Sequence, residues 1–221
     1  MAVPSMDEWY LHLLHPQDDQ GKRRTALLQA AFDVIAESGF EGLRTRSVAQ
    51  RAGINIATLH YYFASKQDLI EGLALFIGAK FVTLHGPAPK PSGFPALDRL
   101  RQEFSDVRYY LQRQPKMLLV IQEFTLRGKR DPEVQKVVNQ MNYYWRQSIG
   151  KMVAQGVREG TFRDDIAPPE MLNMLMSILG GTAVVPHDQL GSIERNTEAW
   201  ILTEKVKKRL KKQKGAKRER A

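Results

Sequence analysis

This sequence of 221 residues contains no cysteine. That excludes disulfide staples, thiolate metal sites and thiol nucleophiles together. Long apolar runs are also missing. The most apolar region, Met171 to Val185, is interrupted by Asn173, Ser177, Gly180, Gly181 and Thr182, which makes it too short and too polar to cross a bilayer. The N-terminus offers only an apolar patch, Trp9 to Leu14, just after the acids Asp7 and Glu8. A secretory signal would begin with basic residues. A cytoplasmic protein with no membrane partner is therefore expected. No segment of any length alternates as a strand does, and no internal repeat is visible. The signatures of common catalytic sites, G-x-S-x-G, H-E-x-x-H and the Walker loop, are absent. The five histidines, at 12, 15, 60, 85 and 187, are scattered. His12 and His15 would share a helix face, but no third metal ligand is evident beside them. Asp164 and Asp165 read as turn and cap chemistry. The expectation is a non-enzyme without cofactor or metal.

Charge is present, but unevenly. The chain carries a formal net charge of +9, which by itself invites a nucleic-acid partner. All of that excess sits in the last stretch, residues 205–221, where ten Lys or Arg face one Glu. Residues 1–20 hold four acids and no Lys or Arg, whereas residues 21–66 hold seven basic groups against three acids. Residues 67–204 balance. Four parts follow: an acidic extension (1–20), a positive head (21–66), a neutral body (67–204) and a basic tail (205–221). The tail has two readings. It is either the frayed end of the last helix running into a solvated segment, or an accessory arm adding non-specific DNA affinity.

The head holds the most specific pattern, LRTRSVAQRAGINIATLHYYFASKQDL from Leu43 to Leu69. Val48, Ala49 and Ala52 form one stripe on a short helix, with Thr45 as its expected N-cap. Gly53 then stands where that helix stops. Ile54 can plug the angle between two helices, and Asn55 is a good N-cap for a second helix over Ile56 to Phe63. Leu59 and Phe63, four apart, face inward. Ile56, Ala57, Thr58, His60, Tyr61 and Tyr62 remain on or near the outer surface. This is how a helix is presented to the major groove of DNA. Upstream, Leu27, Leu28, Ala31, Val34 and Ile35 mark a first helix, Lys22 to Ser38, ended by Gly39. Its opening cations, Lys22, Arg23 and Arg24, are either phosphate contacts or simply solvated.

The string Thr45, Val48, Ala49, Ala52, Gly53, Ile54, Asn55, Ala57, Thr58, Leu59, His60, Tyr61, Tyr62, Phe63, Ser65, Lys66 and Leu69 resembles the TetR family of transcriptional regulators. Asn55 replaces the usual Ser of that pattern, and His60 replaces the usual Tyr. The resemblance implies an all-α fold: a three-helix DNA-binding head with helix-turn-helix, on a larger helical body that binds a ligand and dimerises. It implies phosphate contacts from Arg44, Thr45 and Lys66, with Ile56, Ala57, Thr58, His60, Tyr61 and Tyr62 against bases or the adjoining backbone. Ile56 and Ala57 suit a thymine methyl. Arg46 reaches either guanine or phosphate, with base contact the favoured choice. Implied partners are double-stranded operator DNA, a second copy of the chain as homodimer, and a small-molecule effector. The implied mode is repression relieved by ligand. A helical adaptor that uses its basic tail on RNA or protein is the alternative.

The body reads as helices. Four Pro and two Gly between His85 and Pro95 mark a loop. Leu97, Leu100, Phe104, Val107 and Leu111 share one face. Pro115 opens a helix in which Met117 to Ile121 is apolar all round, predicting a central, buried element, with Glu123 expected on a solvated face. A long helix follows Asp131-Pro132, with Val134, Val138, Met141, Trp145, Ile149 and Met152 inward. After the turn GTFRDDIAPPEM, one helix turns Met171, Leu172, Leu175, Ile178 and Leu179 the same way. A last continuous helix is expected from about Ser192 through Trp200, Ile201 and Val206 to Leu210. Phe104, Tyr110, Met117, Ile121, Phe124, Met141, Tyr144, Trp145 and Met174 would suit the wall of a site for an apolar ligand, although such stripes more often form core. By the resemblance, the last two helices pair with those of a second subunit, which assigns Met171, Leu175, Ile178, Leu179, Trp200 and Ile201 to a dimer interface.

Overall fold

The computed structural model describes residues 16–218, without the side chains of residues 183, 187, 214 and 216–218. Trp9 to Leu14, His12, His15 and most of the acidic extension lie outside the described residues. Among the described residues there are ten α-helices and no strand. They are α1 (Asp19–Ser38), α2 (Thr45–Arg51), α3 (Ile56–Tyr62), α4 (Lys66–Thr83), α5 (Pro95–Arg113), α6 (Pro115–Gly128), α7 (Pro132–Arg158), α8 (Pro168–Gly181), α9 (Leu190–Ile201) and α10 (Glu204–Arg218). The all-α class expected from the sequence holds. No helix is long and apolar enough to cross a membrane among the described residues.

Local chemistry accounts for most boundaries. Asp18 caps α1 by accepting from the Gly21 backbone N–H at 2.6 Å. Ser65 and Asp68 form a reciprocal capping box at the start of α4, each side chain 3.0 Å from the other's backbone nitrogen. Proline is the first residue of α5, α6, α7 and α8, where its missing N–H costs nothing. Gly39 and Gly53 both take left-handed backbone, φ +68° and +66°, as their places after α1 and α2 predict.

The chain divides into two compact units. The described part of the first is residues 16–85 and 113–143: α1 to α4, α6 and the start of α7. Its core is built on α1, which packs against α2, α4 and α6. Leu27, Leu28, Ala31 and Ile35 of α1 are fully buried, as are Val48, Leu59, Leu69, Leu73 and Ile77. Phe32 meets Phe76 edge-on with ring centres 6.5 Å apart, and Phe40 meets Phe124 in the same way at 5.2 Å.

The second unit is residues 86–112 with the described residues from 144 onward. Its core gathers Leu97, Leu100 and Phe104 of α5, Ile149, Met152 and Val153 of α7, Met171, Leu175 and Leu179 of α8, and Ile201, Leu202 and Val206. Two ion pairs tie α5 to α9: Arg101 to Glu198 through two bonds of 2.6 and 2.8 Å, and Arg108 to Glu194 at 2.5 Å. The Pro-rich segment after His85 is held on α5, with the Gly86 N–H donating to Asp106 Oδ1 at 2.7 Å and Ser105 Oγ donating to the Pro87 carbonyl at 2.7 Å.

Gly156 shows how closely this second core is packed. A Cβ there would stand 2.2 Å from Cδ2 of Phe162, a ring only 1% exposed. Gly156→Ala must displace that ring, and overpacking of this kind costs ~1–3 kcal/mol. The expected result is a urea midpoint lowered accordingly with an unchanged m-value. An unchanged midpoint would show that the ring gives way freely.

Four expectations are corrected. Helix α6 is not apolar all round: Met117, Val120 and Phe124 are buried on one side, while Leu119 and Leu126 are 43% and 55% exposed. Apolar composition overstated burial here because helical spacing, not leucine count, decides which side chains meet a neighbour. The last helix is not continuous. It breaks at Leu202, which is extended (φ −75°, ψ 142°) and forms an antiparallel bridge with Phe162. The Arg163 N–H donates to the Ile201 carbonyl at 2.8 Å and the Thr203 N–H to the Thr161 carbonyl at 3.1 Å. The break is thus imposed by a distant turn. The basic tail is helical as far as Arg218, anchored by buried Val206 and by Arg209 above the Phe94 ring at 5.1 Å. Finally, Thr45 is the first residue of α2, with Arg44 in the cap position.

Candidate nucleic-acid interface

The turn between α2 and α3 is built by short-range bonds. The Ile54 N–H donates to the Ala49 carbonyl at 3.0 Å, and the Gly53 N–H to the Gln50 carbonyl at 3.1 Å. Asn55 caps α3 as its sequence position predicts. Its Oδ1 accepts from the Thr58 backbone N–H at 2.7 Å and from the Thr58 hydroxyl at 2.9 Å. Two donors on one oxygen fix the first turn of α3. Asn55→Ala removes both bonds, and loss of such a cap costs ~1 kcal/mol. The expected result is a small fall in melting temperature with a larger relative loss of DNA affinity, checked by calorimetry and by anisotropy titration. Asn55→Asp, which keeps the acceptor, should keep the stability.

Leu59 and Phe63 anchor α3 from beneath, 0% and 1% exposed. Phe63 is held on its far side as well. The Arg24 guanidinium lies over its ring at 4.8 Å, and burial pulls that group below its ordinary pKa. Arg24 therefore braces the head from α1, and of the three opening cations it is the one committed inward. Lys22 pairs with Asp19 at 3.3 Å on the surface.

The outer side of α3 carries no formal charge. Ile56 is 41% exposed and Tyr61 73%, with Ala57 and His60 also exposed. Tyr61 therefore does not pack into the head; its ring rests edge-on against Tyr62 at 5.1 Å. Thr58 and Tyr62 are half-buried, and the Thr58 hydroxyl is already engaged by Asn55. Arg44, Arg46 and Lys66 are exposed and Thr45 is half-buried. Arg44 and Arg46 open α2, and Lys66 opens α4. An uncharged helix bordered in sequence by cations can take phosphates at its margins and base edges at its centre. Arg51 is engaged elsewhere: it forms a two-bonded pair with Glu37 of α1, which raises the guanidinium pKa and lowers that of the carboxylate.

Sequence reasoning missed one residue of this unit. Glu123, expected on a solvated face, is half-buried. Its Oε2 accepts from the Phe40 backbone N–H at 2.8 Å, at the short 3-10 turn Phe40–Gly42 that leads into α2. Nearby, Arg127 of α6 pairs with Glu41 at 2.8 Å, and Lys116 reaches Asp33 and Glu37 at 3.7 and 3.6 Å. Helix α6 thus grips the end of α1 and the approach to the helix-turn-helix. The signal lay in the register: position 123 lies between the buried 120 and 124, at the edge of the packed face.

The residues proposed for a ligand wall are divided between the two units. Met117, Ile121, Phe124 and Met141 belong to the first, and Phe104, Tyr110, Tyr144, Trp145 and Met174 to the second. Phe104, Met117 and Phe124 are each 1% exposed and are packed core. Burial pushes the Tyr110 phenol far above its usual pKa, with Asp106 and Glu103 adding to the shift. Trp145 Nε1 donates to Glu103 at 3.4 Å. Ile121, Met141, Tyr144 and Met174 keep accessible surface. The interface assignment needs a correction. Met171, Leu175 and Ile201 are 0% exposed and Leu179 3% within the single chain, so they have no surface to give a second copy. Only Ile178 and Trp200 of that set stay partly accessible. The outward side of α8 is instead Asn173, Met174, Ser177, Gly180 and Gly181.

A capped second helix with an exposed neutral face, set on a three-helix head and carried by an all-helical chain, defines the helix-turn-helix class of DNA-binding regulators. Residues 27–73 match the family of bacterial regulatory proteins named for tetR. Over those residues the chain is similar to the TetR family. It is 30% identical to the transcriptional repressor KstR of Rhodococcus jostii over 43% of this chain, a match spanning 44% of that protein's length. It is 25% identical to the transcriptional repressor KstR2 of Mycobacterium tuberculosis over 65% of this chain and 71% of that one. A solved TetR-family regulator from Rhodococcus sp. superposes with a TM-score of 0.68 at 19% identity, covering 82% of this chain and 99% of the other, which establishes likeness of fold. Members of this family are DNA-binding regulators rather than enzymes.

Proposed function

We propose that this protein is a cytoplasmic, homodimeric transcriptional repressor that leaves its operator when a small, largely apolar ligand binds the helical body. The observation that carries the reading is the exposed, uncharged outer side of α3 beside the exposed cations Arg44, Arg46 and Lys66. Two such helices, one from each subunit, would sit about one DNA turn apart, ~34 Å, in successive major grooves. The outward side of α8, with Met174 and the small residues Ser177, Gly180 and Gly181, is the surface offered for pairing. It is assisted by the partly accessible Ile178 and Trp200.

The grip of α6 on the end of α1 gives the effector a route to the head. A ligand that favours a different placement of α6 would move the 3-10 turn held by Glu123, and with it the approach to α2. The effect on operator affinity can be no larger than the ligand's preference between the two placements.

The test is a binding titration on the DNA upstream of the chain's own gene, on random duplex and on RNA, at low and moderate salt. The reading predicts a site in the upstream DNA whose affinity survives moderate salt while random duplex is released. It also predicts a dimer in sedimentation at working concentration. Equal affinity for all three nucleic acids, or a strict monomer, would contradict it. A screen for apolar compounds that raise the melting temperature then finds the effector, because a ligand of the native state stabilises it by mass action.

A further inference from the structure

Nine of the fifteen residues of α10 are Lys or Arg, and one is Glu. Like charges three and four apart repel one another along a helix, so packing must hold this one. Val206 is buried and Leu210 partly buried against the second core, and Arg209 lies above the Phe94 ring at 5.1 Å. That anchorage decides which side faces out. Lys205, Lys208 and Lys212 fall at i, i+3 and i+7 on one helix face, with Lys211 beside it, and all four are exposed. The one acid of the helix, Glu204, is taken by Lys207 at 2.8 Å. Its carboxylate is held below its usual pKa by Lys207 first, and then by Lys208 and Lys211. Among the described residues, Lys205, Lys208, Lys211 and Lys212 have no ion pair.

Four unpaired ammonium groups within ~10 Å of helix axis suit a partner whose negative charge is dense and evenly spaced. A membrane surface is a poor fit. An interfacial helix needs a free apolar face, and here Val206 and Leu210 are turned into the chain's own core. An acidic protein surface fits poorly too. Such interfaces centre on buried aromatic or other apolar anchors, and no apolar side chain is exposed between Glu204 and Gly215. Duplex DNA carries one negative charge per ~1.7 Å of axis, and lysines bind it without regard to sequence.

We propose that the outer side of α10 is a second, sequence-independent contact for the phosphate backbone of double-stranded DNA, made by Lys205, Lys208, Lys211 and Lys212. The inference rests on the reading of the chain as a DNA-binding regulator and adds a division of labour to it. Helix α3 chooses the operator. Helix α10 sets the strength and the salt dependence of binding to any duplex, and so keeps the protein on DNA between encounters with its operator.

The test is made in the full chain, with Lys208→Gln, Lys211→Gln and Lys212→Gln combined. Gln forms helix about as well as Lys, so α10 is kept and the melting temperature should not fall. A matched control replaces three exposed cations elsewhere in the second unit, Lys90→Gln, Lys151→Gln and Arg158→Gln. Affinity for random duplex is titrated between 50 and 200 mM salt. One phosphate per lysine, at ~0.9 each, lowers the salt slope by up to ~2.7, which is roughly 40-fold less affinity lost across that range. The control should keep the slope of the unmodified chain, and so should Lys→Arg at the same three positions of α10. An unchanged slope in the α10 variant would overturn the proposal. So would an equal fall in the control, which reports net charge alone. A larger fall on RNA than on duplex would assign the helix to RNA. Loss of binding to vesicles of phosphatidylserine and phosphatidylcholine, with the duplex slope kept, would assign it to a membrane. Either result contradicts the proposal. The upstream DNA is titrated alongside. If the repressor reading fails, upstream and random duplex bind alike whatever α10 does. If only the present proposal fails, the upstream site stays preferred and the slope does not move.

Discussion

His60→Ala combined with Tyr61→Ala lowers operator affinity ~100-fold or more while the protein stays folded. Both side chains are exposed on α3, Tyr61 at 73%, so little packing is lost with them. The Tyr61 ring touches Tyr62 edge-on, a contact of ~0.5–1.5 kcal/mol, and the melting temperature should fall by only a few degrees. Binding has much more to lose. A base-edge or phosphate contact is worth ~1–3 kcal/mol, each change occurs once per subunit, and ~1.4 kcal/mol is a factor of ten. The loss should fall mainly on the specific site, with random duplex bound almost as before. Lys66→Ala makes the contrast. Removing one phosphate contact weakens specific and random binding alike and reduces the salt slope by ~1. An affinity for the operator unchanged by the double substitution would remove α3 from the interface.

Phe63→Ala should abolish binding by a different route, through loss of the head itself. Phe63 is 1% exposed, carries the Arg24 guanidinium on its ring at 4.8 Å, and lies 3.1 Å from the position of a Cβ on Gly72. It therefore closes α3 against both α1 and α4. Truncating a buried Phe costs ~3–5 kcal/mol, and here a half-buried cation loses its ring in addition. Whole proteins are stable by only ~5–15 kcal/mol. The expected outcome is a large fall in the urea midpoint and loss of DNA binding that recovers in part with Phe63→Leu, which refills most of the volume. The double substitution on α3 leaves the midpoint nearly in place, so the two failures are told apart in one denaturation experiment. A shift below about 1 kcal/mol for Phe63→Ala would show that the ring is not what holds α3.

The helix-turn-helix was legible because its determinants are local. Gly53 needs left-handed backbone, Asn55 caps three residues ahead, and Leu59 and Phe63 are one helical turn apart, so spacing alone places them. The all-α class was legible for the same reason. What sequence did not show depends on residues far apart. The break at Leu202 is made by backbone bonds to Thr161 and Arg163, while Leu202, Val206 and Leu210 follow at a spacing of four, as one unbroken helix would place them. Glu123 bonds a backbone 83 residues away. Arg24 looked like one of three phosphate-seeking cations until the Phe63 ring beneath it was visible. Burial within one chain and burial between two chains leave the same apolar stripe, which is why Met171, Leu175, Leu179 and Ile201 were assigned to an interface that they cannot reach.

The most direct measurement is the structure of the protein bound to the duplex that it selects from its own upstream DNA. The account predicts α3 lying in the major groove, with Ile56, Ala57, His60 and Tyr61 against base edges and Arg44 and Lys66 on phosphates, repeated about one turn along by a second chain. A complex in which the outer side of α3 faces solvent and the DNA lies on α10 would contradict it.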